Sequence, residues 1–214
     1  MSITTKNHDR SAPLIEGVTG VVLAGGKSSR FGKNKALAEI NGIPLIERVI
    51  HIMGSVFERL IISSNTPDEY SYLQLPIHED LIKGLGPIGG IYTGLNVIED
   101  EAAFFVACDM PFINQGLIRY IVNVKGDFDA VAPKIDWKME ALHALYKKNC
   151  LSVIKEMIDS RSYQTLKLFQ KVNVRFVDEE EVRRFDPQLK SFVNVNRPDE
   201  LTDMMRSEEV NKIA

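Results

Sequence analysis

The sequence predicts an α/β fold, built on a single doubly wound, mostly parallel sheet with a small antiparallel insertion. Three observations lead there. Short apolar runs recur at Val21–Ala24, Leu60–Ser63 and Ala103–Cys108, and each ends abruptly in glycine or polar residues. Between them, apolar residues fall at helical spacing, as in Ile46, Val49, Ile50 and Met53. Strand followed by helix, repeated, implies parallel strands joined by crossover helices. A chain of 214 residues, 44% of them hydrophobic, suffices for one such domain with a full core.

Residues 1–16 are polar and lack the apolar segment of a signal peptide, so they are expected to form a flexible tail. Val21–Ala24 is the first strand, and it runs into Gly25-Gly26. Asn41-Gly42 marks a turn, and Pro44 suits the first position of the helix that carries Ile46 to Met53. Leu60–Ser63 is the next strand. Its end, Ser64-Asn65-Thr66, lies on the side where open parallel sheets bind ligands. Pro67 opens a short helix, Leu75–His78 is a brief strand, and Glu79-Asp80 follows it. Gly84, Gly86 and Pro87 shape a turn before a helix over Ile88–Ile98 that contains Gly89, Gly90 and Gly94. Helix-interior glycines cost about 1 kcal/mol each relative to alanine. Three of them predict close approach by a neighbouring backbone or a ligand, the alternative being a loosely built helix. The strand Ala103–Cys108 ends on Asp109, and Leu117, Ile118, Ile121 and Val122 give the following helix.

The alternation then changes. Phe128–Pro133 and Met139–Tyr146 predict an antiparallel pair joined through Asp136-Trp137-Lys138, placed to wall a pocket. Asn149 is the expected N-cap of a helix over Leu151–Ile158. Val172–Val177 alternates as a half-buried strand. Ser191–Asn196 is predicted as the last strand, with Asn194 and Asn196 on one face, before a closing helix from Pro198. The expected organisation is a single domain over 17–206, in two halves at 17–124 and 125–206, and a tail at 207–214.

The formal net charge of -3 argues against a general nucleic-acid surface, and no apolar run reaches the length of a membrane span. The two cysteines, Cys108 and Cys150, have no metal-ligand spacing and suit a reducing cytoplasm as buried thiols.

The chemistry concentrates in Gly20–Lys35. Two glycines follow a buried strand, and Lys27, Arg30, Lys33 and Lys35 place four cations within nine residues. Open amides plus cations at a strand end suit a polyphosphate. The loop is not a P-loop, because the position five before Gly26 is Val21, and it is not a dinucleotide fingerprint, because Gly25 and Gly26 are adjacent. Asp109 breaks an apolar run with a carboxylate at a strand end. It is the best candidate Mg²⁺ ligand, with a helix-capping role as the alternative.

Leu23-Ala24-Gly25-Gly26, with Ser28, Arg30, Gly32 and Lys35, resembles the signature loop of nucleotidyltransferases that attach a nucleoside monophosphate to a phosphorylated acceptor. Within them the chain is most similar to the molybdenum cofactor guanylyltransferases. Phe31 stands where that family usually has Met, and Asn34 where it usually has Asp, so a charge beside Lys35 is lost. Cys108-Asp109-Met110-Pro111, Asp80 ahead of Gly86-Pro87-Ile88-Gly89-Gly90, and Asn194-Val195-Asn196 extend the likeness.

The resemblance implies a Rossmann-like nucleotidyltransferase fold and a cytoplasmic enzyme. It would transfer GMP from GTP to molybdenum-bound molybdopterin with Mg²⁺ and release pyrophosphate, working alongside molybdopterin-delivering and apo-molybdoenzyme proteins. It implies Mg²⁺ on Asp109, and nucleotide contacts from Leu23, Ala24, Gly25, Gly26, Asn65 and Asp80. Lys35 is the candidate for transition-state charge at the α-phosphate, Arg30 for the outer phosphates, and Asn194 and Asn196 for the acceptor. His143, in a family-like His-Ala-Leu-Tyr run, is read as a satisfied structural histidine rather than a catalytic one. CTP as donor, a sugar or polyol phosphate as acceptor, and a non-catalytic carrier remain open at this level.

Overall fold

The computed structural model describes residues 12–25 and 34–195. The first strand, β1 (Thr19–Leu23), is buried along its whole length. A hairpin follows, β2 (Glu39–Ile40) and β3 (Ile43–Pro44), closed by Asn41 and Gly42 at φ of 53° and 74°. Both angles are left-handed, which an Asn-Gly pair tolerates better than other residues. Helix α1 (Leu45–Gly54) starts one residue later than its sequence suggested, with Pro44 as the flanking cap residue. Next come β4 (Leu60–Ser63), a 3₁₀ segment over Pro67–Leu73, β5 (Ile77–His78), α2 (Pro87–Val97), β6 (Ala102–Ala107) and α3 (Gln115–Asn123). The remainder comprises β7 (Ala130–Ile135), β8 (Lys138–Met139), β9 (His143–Lys147), α4 (Cys150–Asp159), β10 (Val174–Asp178) and α5 (Glu179–Arg183).

The main sheet runs β10-β7-β9-β6-β1-β4-β5, with β8 paired to β7. β6, β1, β4 and β5 are mutually parallel, as are β7 and β10, whereas β9 is antiparallel to both β6 and β7. The expected antiparallel pair is present as β7 and β9, built into the sheet itself. Its second strand is a central member of the sheet and joins the two parallel halves.

Alternation along β6 explains the two-layered core. Phe104 and Val106 face one layer with Ile46, Val49 and Met53 of α1 and Leu117, Ile118 and Ile121 of α3. Ala103 and Phe105 face the other, with Ile88, Ile91 and Leu95 of α2 and Ile154 and Met157 of α4. A strand covered on both faces reads as an unbroken apolar run, which is why it was legible without periodicity.

Two further expectations are corrected. Asn149 precedes α4 but makes no side-chain cap; its amide donates to the Asp129 carboxylate instead. Ser191–Val195, the described part of the expected last strand, is not a strand: Lys190–Phe192 forms a 3₁₀ turn. The reason is local, since the Asp186 carboxylate accepts from the backbone N–H groups of Lys190 and Ser191 at 3.0 and 2.7 Å, taking donors that a strand would need. The expected helix from Pro198 lies outside the described residues.

Candidate active site

The carboxyl ends of β1, β4, β5 and β6 come together because neighbouring strand ends are laced by backbone hydrogen bonds. Ala24 N–H donates to Ser63 C=O at 2.9 Å, Ser64 N–H to His78 C=O at 2.9 Å, and Cys108 N–H to Leu23 C=O at 3.1 Å. Along this rim lies a cleft of about 1150 Å³. Leu23, Ala24, Gly25, Lys35, Asn65, Asp80, Asp109 and Asn194 all line it. The sequence-based candidates thus converge, except Gly26, Arg30 and Asn196, which lie outside the described residues.

At its centre the Lys35 ammonium donates to Asp109 Oδ2 at 2.6 Å, with 16% and 23% of the two side chains exposed. The other oxygen, Asp109 Oδ1, is buried and has no hydrogen-bond partner among the described residues. A buried carboxylate oxygen in that state is short of a cation or donor. This donor set fits Mg²⁺, which takes one or two carboxylates and completes its shell with phosphate and water. The helix-capping alternative for Asp109 fails: Asn114 caps α3, its side chain accepting from Leu117 N–H at 3.0 Å. Asn194 follows the 3₁₀ turn, and the next residue anchors the segment, Val195 N–H donating to Asp109 C=O at 3.0 Å. Asn194 thus lies outside any strand, and its expected face-mate Asn196 lies outside the described residues.

On the β4–β5 side, Asn65 and Asp80 are paired twice. The Asn65 amide donates to Asp80 Oδ2 at 2.7 Å, and Asp80 N–H donates to Asn65 Oδ1 at 3.1 Å. α2 supplies the floor. A Cβ on Gly90 would meet Leu23 Cδ2 at 2.8 Å, and one on Gly94 would meet the Phe105 ring at 2.6 Å. The close approach expected of these glycines is real at Gly90 and Gly94, where side chains of β1 and β6 make it, while a Cβ on Gly89 would meet Leu85 and the Ile82 carbonyl at 3.2 and 3.4 Å.

Sequence reasoning missed one group. Asn34 accepts from Ala36 N–H at 3.0 Å, donates to Tyr70 Oη at 2.7 Å, and also donates to the Glu69 carboxylate. Glu69 and Tyr70 line the same cleft. The Asn in place of Asp signalled this position, but its partners lie more than thirty residues away in the chain.

Burial pushes the Tyr70 hydroxyl up to about 12 and the Cys108 thiol, beside Asp109, likewise to about 12. Neither is an anionic nucleophile at neutral pH. His143 is fully buried between the ring edges of Phe104 and Phe192, with centroids 5.1 and 5.4 Å away. Burial lowers its pKa to about 3, against the pull of Asp186. It is structural, as expected, but not satisfied: neither ring nitrogen has a hydrogen-bond partner among the described residues.

The profile of the MobA-like NTP transferase domain matches residues 20–174. A protein of Clostridium perfringens named probable molybdenum cofactor guanylyltransferase is 35% identical over 197 residues, covering 90% of this chain and 98% of its own. One from Desulfosudis oleivorans, named molybdenum cofactor guanylyltransferase, is 36% identical over 189 residues, covering 87% and 94%. Among solved structures, molybdopterin-guanine dinucleotide biosynthesis protein A from Archaeoglobus fulgidus superposes with a TM-score of 0.77 at 28% identity, over 92% of this chain and 100% of that one. The 4-diphosphocytidyl-2C-methyl-D-erythritol synthase of Anaerococcus prevotii has a TM-score of 0.64 at 12% identity, over 86% of this chain and 92% of that one, and so shares the fold alone.

Proposed function

Because this chain belongs to the MobA-like NTP transferase family and is a nucleotidyltransferase, we propose that it transfers GMP from GTP to molybdenum-bound molybdopterin, forming the guanine dinucleotide cofactor and pyrophosphate. The observation that carries the reading is the Lys35–Asp109 pair, 2.6 Å apart, with Asp109 Oδ1 left unpartnered in a cleft shared with Leu23–Gly25 and Asn65–Asp80. Residues 17–124 supply the nucleotide side and 125–206 the acceptor side. The site is cytoplasmic in this reading, and among the described residues no helix is long and apolar enough to cross a membrane.

The terminal phosphate oxygen of the acceptor attacks the α-phosphorus of GTP. A new P–O bond forms as the bond to the β-phosphate oxygen breaks, and pyrophosphate leaves with that electron pair. A phosphate monoester is ionised at neutral pH, so no general base is required, in keeping with a neutral, buried His143. Lys35 exchanges Asp109 for phosphate oxygen and neutralises charge building at the α-phosphate. The Ala24 and Gly25 backbone faces the nucleotide, and the Asn65–Asp80 pair fixes its far end. Asp109 would hold Mg²⁺. When bound, the ion supplies positive charge to the phosphate oxygens.

The test is pyrophosphate release measured with GTP and molybdenum-molybdopterin, omitting each in turn. Release should require both, and Asp109→Asn should reduce turnover by about two to three orders of magnitude, the usual cost of losing a main electrostatic stabiliser, while the melting temperature stays near that of the wild type. Equal turnover with CTP and none with GTP would replace the guanylyl reading with a cytidylyl one. Full function in the Asp109→Asn variant would instead indicate a carrier.

A further inference from the structure

Resting on that reading, we infer that Glu140 reads the acceptor, its carboxylate accepting the two adjacent N–H donors of the 2-amino-4-oxo edge of the pterin.

Glu140 lies between β8 and β9, lines the cleft, and is half-buried. Its backbone is fixed, N–H donating to Pro133 C=O at 2.9 Å. Its carboxylate makes no hydrogen bond or ion pair among the described residues; Lys138 acts on it only at a distance. The nearby carboxylates differ: Asp80 is engaged by Asn65, Glu69 by Asn34 and Asp109 by Lys35. A half-buried carboxylate without protein donors gains from a ligand that supplies them.

The sheet order says which ligand. Across the rim run β5, β4, β1, β6 and β9. Asn65 and Asp80 stand at the β4 and β5 ends, Lys35 and Asp109 near the middle, and Glu140 on the β9 side. In the register of β9 on β6, His143 is opposite Val106, and Ala107 N–H donates to Leu142 C=O at 3.1 Å. Continuing the chain from there brings Glu140 to the rim beyond β6, on the side away from β1. Strands lie about 4.8 Å apart, so β5 and β9 are separated by roughly 19 Å. Guanine and pterin present the same pair of donors on one edge. With the triphosphate bound along the Gly25–Lys35 segment and the base toward β4 and β5, Glu140 lies beyond the reacting phosphorus, where only the acceptor extends. A second Mg²⁺ is the rival occupant, and the Mg²⁺ requirement of the variant separates the two.

The test uses full-length wild type and the isosteric Glu140→Gln, which replaces an acceptor oxygen by a donor. Steady-state kinetics with molybdenum-molybdopterin, titration calorimetry with MgGTP, and inhibition by neopterin and by lumazine are compared. Lumazine is a pteridine with a 2-oxo group in place of the 2-amino group. The expected result is a 10- to 100-fold rise in acceptor KM, the scale of losing a charge-assisted hydrogen-bond pair, with MgGTP affinity within twofold of the wild type, which also reports an intact fold. Wild type should prefer neopterin over lumazine at least tenfold, and the variant should lose that preference. The inference is overturned by an unchanged acceptor KM, by a parallel loss of MgGTP affinity (the carboxylate then reads guanine), or by a raised Mg²⁺ requirement (it then binds metal). A wild type that binds MgGTP but transfers nothing to molybdopterin overturns the proposed function, and this inference with it. An active wild type matched by Glu140→Gln overturns this inference alone.

Discussion

Asn34 shows how much one amide does at this site. Its carbonyl oxygen caps the turn that presents Lys35, while its NH₂ satisfies Glu69 and Tyr70. An aspartate there would keep the cap but lose both donors and set a second carboxylate against Glu69. Asn34→Asp is therefore expected to destabilise the protein by about 1 kcal/mol, the net value of a hydrogen bond, and to lower kcat/KM for GTP. Adding Glu69→Gln should recover most of both losses, since the new amide donates to the aspartate. Denaturant melts and kinetics of the two single variants and the double variant measure the coupling. The sequence exposed Asn34 only as a departure from a family pattern. The compensating Glu69 was silent, because nothing local marks a carboxylate that will face an amide thirty-five positions away.

Helix α2 lies against the sheet through its glycines, and that fixes a prediction. In Gly94→Ala the new Cβ would sit 2.6 Å from the Phe105 ring, which is itself held edge-on to Tyr146. Alanine gains about 1 kcal/mol in helix propensity, but overpacking a filled core costs about 1–3 kcal/mol. The net expectation is destabilisation, read from the urea midpoint, despite a better helix former. A second prediction concerns the loop between α2 and β6, where buried Asp100 accepts from Thr19 of β1 at 2.7 Å and from Arg59 at 2.5 and 3.0 Å. Burial raises its pKa, but the hydrogen bonds from Arg59 and Thr19 outweigh that and hold it below the usual 3.8. The folded value is the lower one. Its contribution to stability is thus fully present above pH 3.8 and lost as pH falls through the folded value. Asp100→Asn should flatten the acid limb of the melting temperature measured from pH 5 to pH 2. At this scale the α/β alternation was legible because each helix must bury one stripe. The antiparallel pairing of β9 with β7 was legible too, but its place beside β6 was not, because a strand's second neighbour is decided by residues distant in sequence.

The described residues form a sheet whose open rim carries the cleft and whose opposite edge is tied shut by Thr19, Arg59 and Asp100. A ligand that bridges the rim stabilises the fold by mass action. MgGTP at about 100 times its dissociation constant should add roughly 2.7 kcal/mol. For a domain of this size, that corresponds to a rise of roughly 5–10 °C in melting temperature. MgCTP at the same concentration should give a much smaller shift under the guanylyl reading, and Asp109→Asn should blunt the response to MgGTP. Differential scanning fluorimetry with the four nucleoside triphosphates makes the measurement.

By itself, the sequence determined the parallel α/β framework, the cationic glycine loop, and the positions of Asn65, Asp80 and Asp109 at strand ends. Each of these is written in local order: apolar runs, the residue at which a run stops, and the spacing of charges. Only the tertiary structure decided that β9 sits between β7 and β6 as a central strand, that Ser191–Val195 is strapped down by Asp186 rather than paired as a strand, and that Glu140 reaches the rim without a partner among the described residues. These outcomes depend on which backbone donors and carboxylates meet across long loops, and a linear pattern of residues does not encode those distances.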